Sequence, residues 1–367
     1  MKKIIVILCL VLMVFPMPSL SANKTDSPVV TMNLPSHFSW RDINGTDYTT
    51  PIKDQAPAPT CEAYAICAAL ETEMQFKLKE RYLPDLSENH LFFYAGGTMT
   101  KGYVSLTDAA SYLMKYGVPD EGCYPDPHRP FDYAFQSLPG WENRTVKISE
   151  WGWVSHNVTM MKQALIEHGP LVVCIHYWRD FYWYQGGVYK HHIGRPIGGH
   201  VVAIVGYNDS ENCWIVKNSD GTQWGENGWF RMAYDADMIS EWYGTGTGVM
   251  YLDGVYGNLK PDVPKVYIQV PVFYHTYLFG TGLQTILKKL PLQKAAVRIF
   301  GKLTVTVAAE NASSVEFFID NMSQYIDTQA PFSWELHATH GLHTLEVKAT
   351  DDHQKSSIDI VDFYVLP

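Results

Sequence analysis

Cys61 carries the most reactive side chain in the sequence, provided something turns its thiol into a thiolate. Thr60 is a favoured N-cap type, and the stretch from Cys61 to Arg81 holds neither Gly nor Pro. A helix is therefore predicted to open at Cys61. The unpaired N–H groups of its first turn carry partial positive charge, which favours the thiolate. An imidazole within hydrogen-bond reach would do more. It would take the thiol proton, and the imidazolium would then protonate an amine leaving a carbonyl centre. The oxyanion formed on the way needs donors. Gln55, six residues before Cys61, offers a side-chain N–H beside the Cys61 backbone N–H.

The elements around these residues follow from pattern. Tyr64, Cys67, Ala68, Leu70, Met74 and Leu78 recur as the buried face of the helix. A second helix is predicted over Leu106 to Tyr116, ending at Gly117, two residues before Pro119. From Pro170 onward the texture changes to strands: Leu171 to His176, Val201 to Tyr207 and Cys213 to Lys217, with turns between them. A helical half followed by a β half is α+β patterning. From Leu303 onward the chain alternates at Leu303, Val305 and Val307, at Val315, Phe317 and Ile319, at Phe332, Trp334 and Leu336, and at Leu345, Val347 and Ala349. That spacing predicts an all-β sandwich.

With 367 residues, two folded units are expected. Met1-Lys2-Lys3, the apolar run Ile4 to Phe15 and the small residues Ser19, Ser21 and Ala22 read as a signal peptide over 1–22. The run is too short to span a bilayer, and no later segment is long and apolar enough. The expected location is therefore secreted, extracellular or cell-surface. Net charge is −10, or −12 once Lys2 and Lys3 leave, which argues against nucleic acid or anionic lipid as partner. Five cysteines remain after Cys9 is removed: Cys61, Cys67, Cys123, Cys174 and Cys213. The odd number leaves at least one thiol unpaired within a single chain. Cys67, Cys174 and Cys213 read as small core hydrophobes, while Cys123 is open to pairing with one of them. No pair has CxxC spacing, so zinc is a poor reading; no metal site and no cofactor are expected.

Several stretches together resemble the papain family of cysteine proteases. Asp54-Gln55 precedes Cys61 by the family's spacing. Gly198-Gly199-His200 runs into Val201-Val202-Ala203-Ile204-Val205-Gly206-Tyr207, and Trp214-Ile215-Val216-Lys217-Asn218-Ser219 follows. Gln223-Trp224-Gly225-Glu226-Asn227-Gly228-Trp229 is similar to the same family, as are Leu34-Pro35 with Trp40-Arg41, and Ser87-Glu88-Asn89-His90-Leu91, read as a helix end. His200 also follows Cys61 at the family's usual separation. The resemblance implies a helical lobe carrying Cys61 and a β-barrel-like lobe carrying His200 and Asn218, with a polypeptide substrate in the cleft between them. His200 would be the base, Asn218 would orient it, and Gln55 would stabilise the oxyanion. Gly102, Gly199 and Trp224 would line the substrate site, Trp224 shielding the Asn218–His200 bond. Residues 33–258 would form this domain. Residues 262–367, with Val315 to Asp320, Ala330 to Trp334 and Gly341 to Asp351, resemble an immunoglobulin-like module of prokaryotic secreted proteins. Adhesion, spacing or substrate docking stay open for it, as does a cell-surface or protein partner through this module.

The departures from the family are specific. Its usual Cys-Gly-Ser-Cys-Trp reads Ala58-Pro59-Thr60-Cys61-Glu62 here. Ala58 and Tyr94 stand where a disulfide would be. Glu62 replaces an aromatic residue and is expected to raise the Cys61 pKa. Asp220 stands where an aromatic usually follows Asn-Ser. The long inhibitory propeptide is expected to be missing between the signal and Leu34. The stretch Gly187 to His191 resembles a loop of cathepsin B-like enzymes, but His191 and His192 read as surface residues, not metal ligands. The aromatics Tyr177, Trp178, Phe181, Tyr182, Trp183 and Tyr184 read as core and cleft wall. Three functions are weighed: an endopeptidase working through a Cys61 thioester, a pseudoprotease or polypeptide-binding protein, and a transpeptidase.

Overall fold

The structure is a computed structural model that describes residues 33–79, 82–128, 136–236, 239, 248–272, 275–284 and 297–367. The expected signal peptide, the stretch that follows it to residue 32, and Arg81 lie outside the described residues.

Helix α1 (Cys61–Leu78) is buried from Glu62 to Gln75 without a break. Apolar residues all round a helix require walls all round it. The walls include strand Pro196–Asn208 and helix α2 (Glu88–Tyr94). Buried acids on α1 need partners. Glu71 has them: Thr50 Oγ1 donates at 2.5 Å, Leu86 N at 2.9 Å and Lys53 Nζ at 3.3 Å. Thr60 departs from its expected role. Its backbone lies at φ −113°, ψ 20°, not the extended geometry a capping side chain needs, and its hydroxyl is buried without a partner. Ser87 also departs from expectation, because it opens a helix here; its Oγ accepts from His90 N at 3.1 Å and caps α2.

Helix α3 (Leu106–Lys115) stops where the sequence places its end. Gly117 follows at φ +83°, where a Cβ would come within 2.6 Å of the Val146 carbonyl. Helix α4 (Val158–His168), capped by Asn157, has no counterpart in the sequence reading.

An eight-stranded sheet forms the second half of this region. Leu171–Trp178 and Pro196–Asn208 pair antiparallel near its centre, with Ile175 opposite His200. Cys213–Lys217 and Trp229–Ala233 continue outward. Along Leu171–Trp178 the side chains alternate between two cores. Leu171, Val173 and Ile175 face a cluster with Phe181, Tyr207 and Phe230. Val172 and Cys174 face the α1 side, with Ile66, Leu70 and Met74. Burial on both faces explains why the strand reads as an unbroken apolar run.

The C-terminal region is a β-sandwich. A three-stranded sheet (Lys265–Val270, Thr304–Glu310, Ser333–Glu335) faces a seven-stranded one that includes Ser314–Ile319, Gly341–Thr350 and Ser356–Leu366. Val305, Val315, Phe317, Leu345, Val347 and Phe363 meet in its core, in keeping with the alternation in sequence. The sandwich touches the first region through Arg144. That guanidinium pairs with Asp120 and donates to Ser356 O at 2.6 Å and Ser357 Oγ at 3.0 Å. Gly122 permits the approach: a Cβ there would lie 2.7 Å from Ser357 Cβ.

Candidate active site

Cys61 is the first residue of α1, which packs against strand Pro196–Asn208, and from that strand the Val201 backbone amide favours the thiolate. His200 is the residue before that amide. Cys61 and His200, the candidate nucleophile and base, thus lie on a helix and a strand that pack against each other. Among the described residues no hydrogen bond joins the Cys61 sulfur to the His200 ring. The side-chain partner of the sulfur is Glu62, whose Oε2 lies 3.6 Å away. Burial first, then Glu62, push the Cys61 thiol well above its ordinary range. The opposing effect expected of Glu62 is therefore present in the geometry.

His200 is buried, and its Nε2 lies 2.7 Å from Asn218 Oδ1. Which proton it holds follows from the neighbours. Asn218 Oδ1 also accepts from Ser219 N at 2.9 Å, and Asn218 Nδ2 donates to Asp220 Oδ2 at 2.9 Å. The amide is thus oriented with its oxygen toward the ring. Nε2 must donate, and Nδ1 keeps the lone pair in the neutral ring. Asp220, noted in sequence only as a departure, acts here as the clamp on Asn218. Tyr177 stands edge-on to the His200 ring, with centroids 5.4 Å apart, and its hydroxyl reaches toward Asp220.

Gln55 is fixed in the same manner. Its Oε1 accepts from Ser219 Oγ at 2.7 Å, and its Nε2 donates to Ala58 O at 2.9 Å. A primary amide has two N–H groups, so one remains for a substrate oxygen. Ser219 thereby links Gln55 to Asn218, a role no motif signals. Trp224 is buried in an aromatic group with Phe181, Tyr184 and Phe230. Gly199, in the strand beside His200, and Gly102, in a turn closed by its own N–H to Thr98 O at 2.8 Å, are both exposed.

Beneath the site lies a charged cluster. Lys53 reaches Asp85 at 2.6 Å and Glu88 at 2.7 Å, next to Glu71, Lys217 and Asn218. Burial lowers the Lys217 ammonium to about 8. The remaining thiols, Cys67, Cys123, Cys174 and Cys213, are buried and form no disulfide among the described residues, so Cys123 is not bridged to any of the cysteines left open to it. His191 stacks on Trp178 at 3.8 Å and holds Asp180 at 3.0 Å, while His192 is exposed. Among the described residues no group of three His, Cys, Asp or Glu is placed to hold a metal ion, and no helix is long and apolar enough to cross a membrane.

The family profile described as papain family cysteine protease matches residues 34–251, and that described as bacterial Ig domain matches residues 289–347. Cathepsin J of Mus musculus is 29% identical over 231 residues, which cover 60% of this chain and 66% of that protein. Fruit bromelain of Ananas comosus is 28% identical over 230 residues, covering 59% of this chain and 61% of that one. The chain thus spans about two thirds or less of the length of these two relatives. Among solved structures, the digestive procathepsin L2 proteinase from Tenebrio molitor larval midgut superposes with a TM-score of 0.51 at 25% identity, over 61% of this chain and 70% of that one.

Proposed function

The chain belongs to the papain family of cysteine proteases, and on that premise we propose that it is an active peptidase that cuts polypeptides through a Cys61 thioester. The observation that supports this best is the His200 Nε2–Asn218 Oδ1 bond of 2.7 Å, made from a strand packed against the helix that begins at Cys61. In this reading His200 Nδ1 takes the thiol proton, and the thiolate attacks the peptide carbonyl carbon. The second Gln55 N–H and the Cys61 backbone N–H stabilise the oxyanion. As the intermediate collapses, the C–N bond breaks and the imidazolium gives its proton to the leaving amine. Water, deprotonated by the same ring, then releases the acid from sulfur. Gly102 and Gly199 present backbone to an extended substrate, and Trp224 closes the His200–Asn218 pair from the protein side.

The same proposal has residues 1–22 as an export signal, 33–258 as the peptidase and 262–367 as a linker and immunoglobulin-like module outside the cell. A binding role without turnover draws on one observation, the hold of Glu62 on the Cys61 thiol. An epoxide-type thiol-protease probe separates the two readings. Labelling at Cys61 that is lost in His200→Ala is the expected result. A folded chain that takes no label anywhere between pH 4 and 8 would be a binding protein.

A further inference from the structure

The carboxyl of Glu62 is 7% exposed and 3.6 Å from the nucleophilic sulfur. The Val104 backbone amide and the Lys101 ammonium, the latter from the loop between α2 and α3, favour its ionised form. Around the sulfur itself stand Cys174 from strand Leu171–Trp178 and the Val201 amide from strand Pro196–Asn208, with His200 one residue earlier. A carboxylate accepts hydrogen bonds only, whereas a carboxylic acid also donates one. The same side chain therefore acts on the sulfur with opposite sign in its two states.

We propose that Glu62 is a proton-operated switch on the nucleophile. Protonated, its O–H donates to the Cys61 thiolate and favours the ion pair with His200. Ionised, it accepts the thiol S–H and holds the sulfur in its unreactive form. The proposal rests on the peptidase reading above. In the first state the thiol proton passes to His200 Nδ1; in the second it stays on sulfur, and Glu62 has released its own proton to solvent. Burial, the largest influence on Glu62, lifts its carboxyl to about 7, so both states are populated near neutrality. The enzyme would then work in acid and fade as the pH rises past that point.

Iodoacetamide alkylation of Cys61 in the purified full chain, followed by mass spectrometry from pH 5 to 8.5, reads the switch without a substrate. The rate constant should fall by about five- to tenfold between pH 6 and 8, tenfold being the ratio of the protonated Glu62 fractions at those two pH values for a carboxyl that titrates near 7. Glu62→Gln keeps a donor but cannot ionise, so its rate should change less than twofold over that range. A flat wild-type profile, or a Glu62→Gln profile that falls in parallel with it, overturns the proposal while leaving a reactive Cys61 and the peptidase reading intact. The wild-type profile decides the matter even where the variant does not fold. Failure of Cys61 to react in a folded chain at every pH overturns both readings together.

Discussion

Asp220 offers the sharpest test of how the site is held. In Asp220→Ala the Asn218 Nδ2 donor loses its 2.9 Å acceptor. A hydrogen bond to a charged group contributes about 1.5–3 kcal/mol when shielded. Asp220 is only half-buried, so the contribution should lie near 1 kcal/mol. Two contacts still orient the amide, the His200 ring and the Ser219 N–H. A flipped amide would set Nδ2 against the Nε2–H of the ring, so the correct orientation persists but is held less tightly. At about 1.36 kcal/mol per decade, kcat should fall roughly fivefold with KM nearly unchanged. Asp220→Asn returns a carbonyl acceptor to the same place and should recover to within about twofold. Turnover of a fluorogenic peptide by the three proteins measures this directly. Wild-type turnover in Asp220→Ala would refute the clamp. Equal loss in both variants would mean that the charge matters and the hydrogen bond does not.

Other outcomes follow from the same geometry. Burial and the neighbouring Asp253 raise the Glu73 carboxyl from 4.5 to about 8. The native state therefore binds that proton more tightly than the unfolded chain, and this contribution to stability is full below about 4.5 and lost as the pH climbs through 8. Glu73→Gln should match wild type in urea unfolding at pH 4 and exceed it at pH 8.5, by about 5 kcal/mol at most. Equal midpoints at pH 8.5 would contradict this. Arg144→Ala strands Asp120 and removes the bonds to Ser356 and Ser357, and a loss of about 2–4 kcal/mol is expected. Limited proteolysis should then cut between Leu259 and Lys265 faster than in wild type; an unchanged cutting rate would mean that Arg144 does not hold the sandwich in place.

Much of the site is legible in sequence because its chemistry is local. The Gly-Gly-His run, Asn218 followed by Ser219, and Gln55 six residues before Cys61 each mark a short segment whose backbone is dictated nearby. The strand Cys213–Lys217 is found at its expected bounds. What spacing hides depends on register and tertiary approach. Tyr177 reaches His200 because it pairs opposite Gly198, a register fixed by the whole sheet, with an irregularity at Tyr177/Trp178. Ser219 Oγ meets Gln55 across 164 residues of chain. Thr60 has the composition of a cap, but its backbone geometry is set by the segment that delivers Cys61 to the strand, and propensity yields to that. Helix α4 was hidden by mixed polarity, since Met160 is exposed while Met161 and Leu165 are buried.

The two-sided burial of Leu171 to Ile175 and of His200 to Tyr207 has a consequence for how the molecule comes apart. Backbone amides there lie in the sheet with a packed core on each face, so local fluctuations open them to solvent last. Their deuterium uptake should proceed only through global unfolding. His200 is carried near the start of one of these strands, whereas Lys101 and Gly102 belong to an exposed turn next to the nucleophile. Under mild heating, isotope exchange would therefore reach the turn beside Glu62 long before it reaches the histidine strand. Activity would fade through loosening on the thiol side of the cleft while the base still holds its native place.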